Sequence, residues 1–292
     1  MKLYAPSYYK DFKCIADKCA HNCCIGWEID IDEISLEKYK SLKNGYGPTI
    51  MNSISLEDTP HFKLCKGDRC PHLDENGLCK IILNYNKDYL CQICAQHPRF
   101  YNYTTEAEVG IGMSCPESAR IILTSQNYDE IIEVGRIDED PIDIDFDGRV
   151  LRGEVYQILK NTTQGYENNL EAIYSKYQID KKNDSYWLEI LDTLEYLDNE
   201  SKLLFQNYSS KKRPRGKEKY QERFLAYFIY RHCTEAVDYE DFCKRLSFCL
   251  FCERLLASLI YNEDDLDKIV DIARIISAEI EYSEENTSFL TY

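Results

Sequence analysis

The sequence predicts a mainly α fold with a small irregular β element, in which a cysteine-rich N-terminal half packs on a C-terminal helical bundle. Three observations carry that expectation. Ten of the 14 cysteines fall within the first 115 residues. From residue 149 onward, stretches of helix length with apolar recurrence follow one another, as amphipathic helices require. Between the two halves, residues 128–148 carry nine acidic side chains around Pro141, which reads as a connecting segment. The expected organisation is 1–127 as a cysteine-rich metal or iron–sulfur region, 128–148 as the acidic connection and 149–292 as a helical domain.

Taken in order, Trp27-Glu28-Ile29-Asp30-Ile31-Asp32 alternates apolar and acidic side chains, as a half-buried strand does. A helix is expected to follow, capped by Ser35, with Leu36, Tyr39 and Leu42 at helical spacing and Asn44-Gly45 ending it. A second strand-like stretch occupies 108–112. Helices are expected over 150–160, 170–177, 187–197, 221–235, 239–261 and 264–280. In the fifth of these, Cys243, Cys249 and Cys252 fall beside Phe242, Leu246 and Leu250 and are read as small core hydrophobes. The basic run from Ser209 to Lys219, interrupted by Pro214 and Gly216, reads as a solvated helix-to-helix connection, with reception of an anion or an acidic surface as the alternative.

Size and charge narrow the function. A chain of 292 residues with 44% hydrophobic residues can build its core without disulfides. A net charge of −16 disfavours nucleic acid and anionic lipid, and no apolar run approaches the roughly 18 residues of a membrane span. The first ten residues show no apolar export signal, so the thiols are expected to be reduced and the protein cytoplasmic. Gly-rich nucleotide loops, a Gly-x-Ser-x-Gly elbow and the Cys-x3-Cys-x2-Cys pattern of radical chemistry are all missing from the sequence.

The chemistry therefore rests on Cys14, Cys19, Cys23 and Cys24 together with Cys70, Cys79, Cys91 and Cys94. Thiolates favour soft metals, chiefly zinc, Cu(I) and iron–sulfur clusters. Cys91-Gln92-Ile93-Cys94 is a two-residue knuckle, and Cys70-Pro71 resembles the Cys-Pro step beside many clusters. Adjacent Cys23 and Cys24 would point to opposite sides of an extended chain, so one is expected to ligate while the other packs. His97 and His21 read as loop residues. Arg99 is a candidate to neutralise a thiolate-rich centre or to hold a carboxylate.

These residues resemble the flagellin lysine-N-methylase family, related to proteins named for a Cys-x2-Cys-x2-Cys-Cys zinc- or iron-chelating domain. The resemblance is carried by Tyr8 to Cys14, by Cys19-Ala20-His21-Asn22-Cys23-Cys24-Ile25-Gly26-Trp27-Glu28-Ile29-Asp30, and by Cys70-Pro71-His72-Leu73. Leu78-Cys79-Lys80-Ile81 and Leu90-Cys91-Gln92-Ile93-Cys94-Ala95-Gln96-His97-Pro98-Arg99 extend it, as does 224–231 in the helical half. The spacing here is Cys19-x3-Cys23-Cys24 rather than Cys-x2-Cys-Cys, and the chain is shorter than the family's longer members. The resemblance implies methyl transfer from S-adenosylmethionine to lysine ε-amines of flagellin, with an iron–sulfur cluster, of 4Fe-4S type, held by the cysteines. Methylation needs a neutral amine and a positioned sulfonium. Trp27, beside the cysteines, is the candidate for a cation–π contact, set against plain core packing. No residue stands out as the base. A non-catalytic zinc- or iron-chelating protein serving a partner, and a redox module, are the alternatives, and the sequence leaves oligomeric state open.

Overall fold

The structure is a computed structural model that describes residues 1–291. It divides into two compact units. One is Lys13–Arg99, and the other combines Met1–Phe12 with the chain from Phe100 onward. The boundary expected near Pro141 is therefore replaced by breaks at Lys13 and Arg99. The reason is strand pairing: Lys2–Pro6 lies inside a four-stranded sheet ordered Arg99–Tyr103, Ala107–Ile111, Lys2–Pro6, Ile131–Arg136. It runs parallel to Ala107–Ile111 and antiparallel to Ile131–Arg136, with Tyr4 opposite both Glu108 and Glu133. Part of the acidic segment is thus an edge strand rather than a free connection, where its charged residues suit an exposed edge.

Ala107–Ile111 is buried along its whole length, including Glu108. A carboxylate survives there because it is paired. Arg152, from the Gly148–Leu159 helix, places its two terminal nitrogens 2.6 and 2.7 Å from the Glu108 oxygens, and Thr234 donates to the same carboxylate at 3.0 Å. The guanidinium also lies 4.9 Å from the Tyr230 ring centre. This network joins the sheet to two helices, Gly148–Leu159 and Glu218–His232.

The helical part follows the predicted pattern with modest shifts of boundary. The observed helices are Gly148–Leu159, Tyr166–Lys176, Asp184–Thr193, Glu218–His232, Tyr239–Leu259 and Leu266–Ile276. Asp147, Asn183, Asp198, Asp238 and Asp265 each cap a helix by accepting from a backbone N–H, so part of the acidic balance is local capping chemistry. Tyr239–Leu259 is the central helix: every residue from Phe248 to Ser258 is buried. Apart from Glu253, Arg254 and Ser258 this enclosed stretch is apolar, which explains Cys249 and Cys252 as core residues. Among the described residues of this unit, three shorter helices were not expected from the sequence: Pro116–Thr124, Asn199–Phe205 and Glu284–Thr291. Among the described residues no helix is long and apolar enough to cross a membrane.

The basic run 209–219 does connect two helices, but Lys217 within it is buried. Its ammonium donates to the carbonyls of Ile260 and Tyr261 at 3.1 and 3.3 Å, closing the C-terminal end of the central helix. The segment Ser277–Glu281 winds as a π-helix and carries Glu281 into the interior. Its carboxylate accepts from Tyr227 at 3.1 Å, meets His232 Nε2 at 2.8 Å and lies 3.4 Å from Arg231 Nε. Burial disfavours its charge, yet Arg231 and His232 hold it below the usual carboxylate range, whereas burial lowers His232.

Two predictions follow from these buried charges. Arg152→Met should cost roughly 3–5 kcal/mol of stability in urea unfolding, because Glu108 is left buried without a counter-charge, and adding Glu108→Leu should recover most of it. For pH, an unfolded His232 takes up a proton below about 6.5 while the folded one resists, so stability falls as pH drops through that range. The contribution of Glu281, whose folded pKa is depressed, is lost lower still, as pH falls through its unfolded and then its folded value. Urea titrations at pH 7, 5.5 and 4 should show the fall, and His232→Asn should flatten its upper part.

Candidate metal centre

The Lys13–Arg99 unit is short on regular structure, and its thiols are placed by turns. Asn22 is the first of these placements. Its side-chain oxygen accepts from Cys24 N at 3.0 Å and its amide donates to Gly77 O at 3.1 Å, while Ile25 N returns to Asn22 O. Cys23 and Cys24 therefore occupy a turn, not the extended chain assumed from their adjacency. Gly26 follows at φ +94°, a conformation that favours glycine. That reverses the expectation that the two thiols diverge: they lie on one side and share a hydrogen bond.

Backbone pairing then brings the second cysteine group alongside. Gly26 N donates to Asp68 O at 3.0 Å and Cys70 N to Cys24 O at 2.8 Å, with Ile25 bridged to Arg69. As a result Cys24 is hydrogen-bonded to Cys70 as well as to Cys23. Leu73 bridges Cys79, and Lys80 N donates to His72 O at 2.7 Å, so the 70–79 loop closes on itself. Asp74 supports that loop by accepting from the N–H groups of Asn76 and Leu78, both at 2.8 Å.

Cys91 and Cys94 form the other part of the group. Cys91 occupies the N-cap position of the Gln92–Gln96 helix, Cys94 lies within it, and the two share a hydrogen bond. Asp32 fixes that helix: one carboxylate oxygen accepts from Gln92 N at 2.7 Å, while the other accepts from Ser35 N at 2.9 Å and caps Glu33–Ser41. Asp32, not Ser35, is thus the cap of the first helix, which ends at Ser41. Burial opposes the charge of Asp32, but these backbone donors keep its pKa low. Residues 27–32 do not form the expected strand. Only their burial alternates, with Ile29 and Ile31 inside, tied to the chain at 60–62 by Ile31 N to Pro60 O and Phe62 N to Ile29 O.

Six of the eight predicted thiols are thereby gathered: Cys23, Cys24, Cys70, Cys79, Cys91 and Cys94. Cys94 lies within electrostatic reach of Cys70 and Cys79, and Tyr39 within reach of Cys79, Cys91 and Cys94. Their floor is apolar, formed by Ile29, Ile31, Leu36, Ile50, Phe62, Leu73 and Ile81. Hydrogen bonds from Cys24 bring Cys23 and Cys70 down to about 7, and the bond from Cys94 lowers Cys91. Cys24 and Cys94, the donors, are raised in return, and burial raises Cys79. Cys14 is exposed, and the Cys19 thiol donates to His21 O at 2.8 Å. No described contact ties Cys14 to the six.

The donor chemistry fits a thiophilic centre. Four thiolates satisfy zinc or a cluster, and protons shared along short thiol chains are those that a metal displaces. Among the described residues no three His, Cys, Asp or Glu side chains already surround a common point. The neighbouring imidazoles have other work. His72 is buried, with Nδ1 3.0 Å from Tyr46 Oη and Nε2 2.8 Å from Ser53 Oγ, and burial takes it to about 4. His72 is thus a core residue with both nitrogens engaged, a role its sequence context did not signal. Trp27 is half-buried against the same apolar cluster. Its indole N–H donates to Cys23 O at 2.7 Å, and its ring centre lies 6.4 Å from that of His97. Arg99 begins the strand Arg99–Tyr103.

No protein family model matches this chain, and no solved structure matches it. Curated relatives do. A flagellar biosynthetic protein FliU of Salmonella muenchen is 30% identical over 126 residues, covering 40% of this chain and 75% of that protein. A lysine-N-methylase of Salmonella choleraesuis is 28% identical over 126 residues, 40% of this chain, as is a lysine-N-methylase of Salmonella typhimurium. The match spans only 31% of each of those two methylases. With most of the FliU relative covered at that identity, the chain belongs to the flagellin lysine-N-methylase family.

Proposed function

We propose that this chain is a protein-lysine methylase that transfers methyl groups from S-adenosylmethionine to lysine side chains of flagellin, and that its thiols hold an iron–sulfur cluster. The observation that carries the reading is the gathering of Cys23, Cys24, Cys70, Cys79, Cys91 and Cys94 in one unit by turns from three parts of the chain. The names of the relatives support the reaction.

Four of the six thiols would hold the cluster, which when bound supplies a redox-active, electron-rich centre. The remaining pair and the apolar floor would shield it from water. Cys14 and Cys19 remain further candidate ligands beside these six. Methyl transfer itself asks for a lysine amine with its proton removed, so that the nitrogen lone pair takes the methyl carbon as the carbon–sulfur electrons return to sulfur. Trp27 offers a half-exposed indole face beside the thiols, suited to a sulfonium or an ammonium. Its N–H bond to Cys23 O fixes that face relative to the centre. Arg99 is assigned to a carboxylate or to the charge of the thiolates.

Purified without oxygen, the wild-type protein should carry matching iron and acid-labile sulfide and a brown colour. Cys70→Ser and Cys91→Ser should each remove most of the metal, whereas Cys65→Ser, at an exposed position, should not. With flagellin and S-adenosylmethionine, mass spectrometry should then show lysine residues gaining methyl groups, and the Cys91→Ser protein should not produce them. Stoichiometric zinc with no turnover would instead identify a chelator with a partner-binding role.

A further inference from the structure

The helical unit contains a cavity of about 160 Å³ remote in sequence from the thiols. It is bounded by the Tyr166–Lys176, Asp184–Thr193 and Tyr239–Leu259 helices and by the basic connection that contains Arg213. One wall is aromatic. Trp187 stacks on Phe251 with ring centres 3.8 Å apart and planes 17° from parallel, and Tyr208 meets Phe251 edge-on at 6.0 Å. The opposite character comes from Arg213 and Arg254, both of which line the cavity, with exposed Lys181 and Lys182 beside them.

The charges around these guanidinium groups are unevenly matched. Glu167 accepts from both terminal nitrogens of Arg254, at 3.1 and 3.2 Å, and the same carboxylate lies 3.7 Å from Arg213 Nε. Two cations thus share one half-exposed carboxylate. The second acid nearby, Glu253, is fully buried, 3.1 Å from Arg254 Nε, and accepts from Tyr166. Burial pushes its pKa up, which weakens it as a counter-ion. Lys181 and Lys182 are balanced by Glu171 and Asp180. Arg213 remains under-satisfied: its Nη1 is buried with no hydrogen-bond partner among the described residues. A buried donor without an acceptor is costly and calls for one.

We infer that this cavity binds a small organic monocarboxylate, its carboxylate on Arg213 and Arg254 and its apolar body against Trp187 and Phe251. Volume selects the size class, since a cavity of about 150 Å³ accepts a benzene ring, whereas a nucleotide would not fit. Guanidinium selects the charged end, because its planar fork matches a carboxylate. The site stands apart from the methylase reading and does not depend on it.

Because Trp27 and Trp187 are the two tryptophans of the chain, a Trp27→Phe protein reports on Trp187 alone. Its fluorescence should change saturably on titration with benzoate, while benzamide, of the same shape without the charge, should bind at least about tenfold more weakly. Arg213→Gln in that background should weaken benzoate about 10- to 100-fold, in line with loss of a charge-assisted bond, and Arg213→Lys should recover part of it. Arg213 is more than a third exposed, so both variants should melt near the parent temperature. No saturable response to benzoate, an equal response to benzamide, or undiminished affinity in Arg213→Gln would each overturn the inference. Inorganic phosphate matching benzoate would overturn the apolar half of it.

Discussion

The Lys13–Arg99 unit depends on one piece of backbone pairing, the contact of the Cys23–Cys24 turn with the chain at 68–70. Gly26 N to Asp68 O and Cys70 N to Cys24 O are two ordinary hydrogen bonds, yet they set which thiols can meet. Without them the first and second cysteine groups would be separated by more than forty residues of largely irregular chain, and closing such a loop has an entropic cost. With them Cys24 reaches both Cys23 and Cys70. A metal bound across that junction would in turn hold the loop closed, so binding and folding of this unit should be coupled.

The larger unit solves a different problem. Its core is ample, and its risk lies in the charges it buries. Glu108 with Arg152, and Glu281 with Arg231 and His232, are each completed by hydroxyl donors, Thr234 and Tyr227. Such groups are retained at a cost in desolvation and reward it with register: the first fixes the sheet against its helices, and the second fixes the π-helical turn at Ser277–Glu281. The cavity beside Arg213 differs from both because one buried guanidinium nitrogen there, Arg213 Nη1, has no hydrogen-bond partner among the described residues.

The long helices were legible because each hides one face, or in the central case every face, and such patterns survive in sequence. The short helices were not, since Asn199–Phe205 and Glu284–Thr291 span about two turns and offer too few repeats. The domain boundary was missed for a topological reason, as nothing local in Lys2–Pro6 says that it will pair with residues 131–136. At the thiols, the spacing of the cysteines was legible and the turns that bring six of them near one another were not. The adjacency of Cys23 and Cys24 suggested extended chain where Asn22 and Gly26 instead shape a turn, and the alternation from Trp27 to Asp32 suggested a strand that does not form. Lys217 shows a similar limit: its place in a basic run gave no hint that it closes a helix end.

The claim that matters most is that sulfur from these cysteines forms the metal's surroundings. X-ray absorption at the edge of whichever metal the anaerobically purified protein carries measures that directly. Sulfur as the dominant near neighbour, at about 2.3 Å, is the expected result, weakened around whatever metal the Cys70→Ser protein retains. A shell of nitrogen and oxygen alone, or one unchanged by that substitution, would contradict the account.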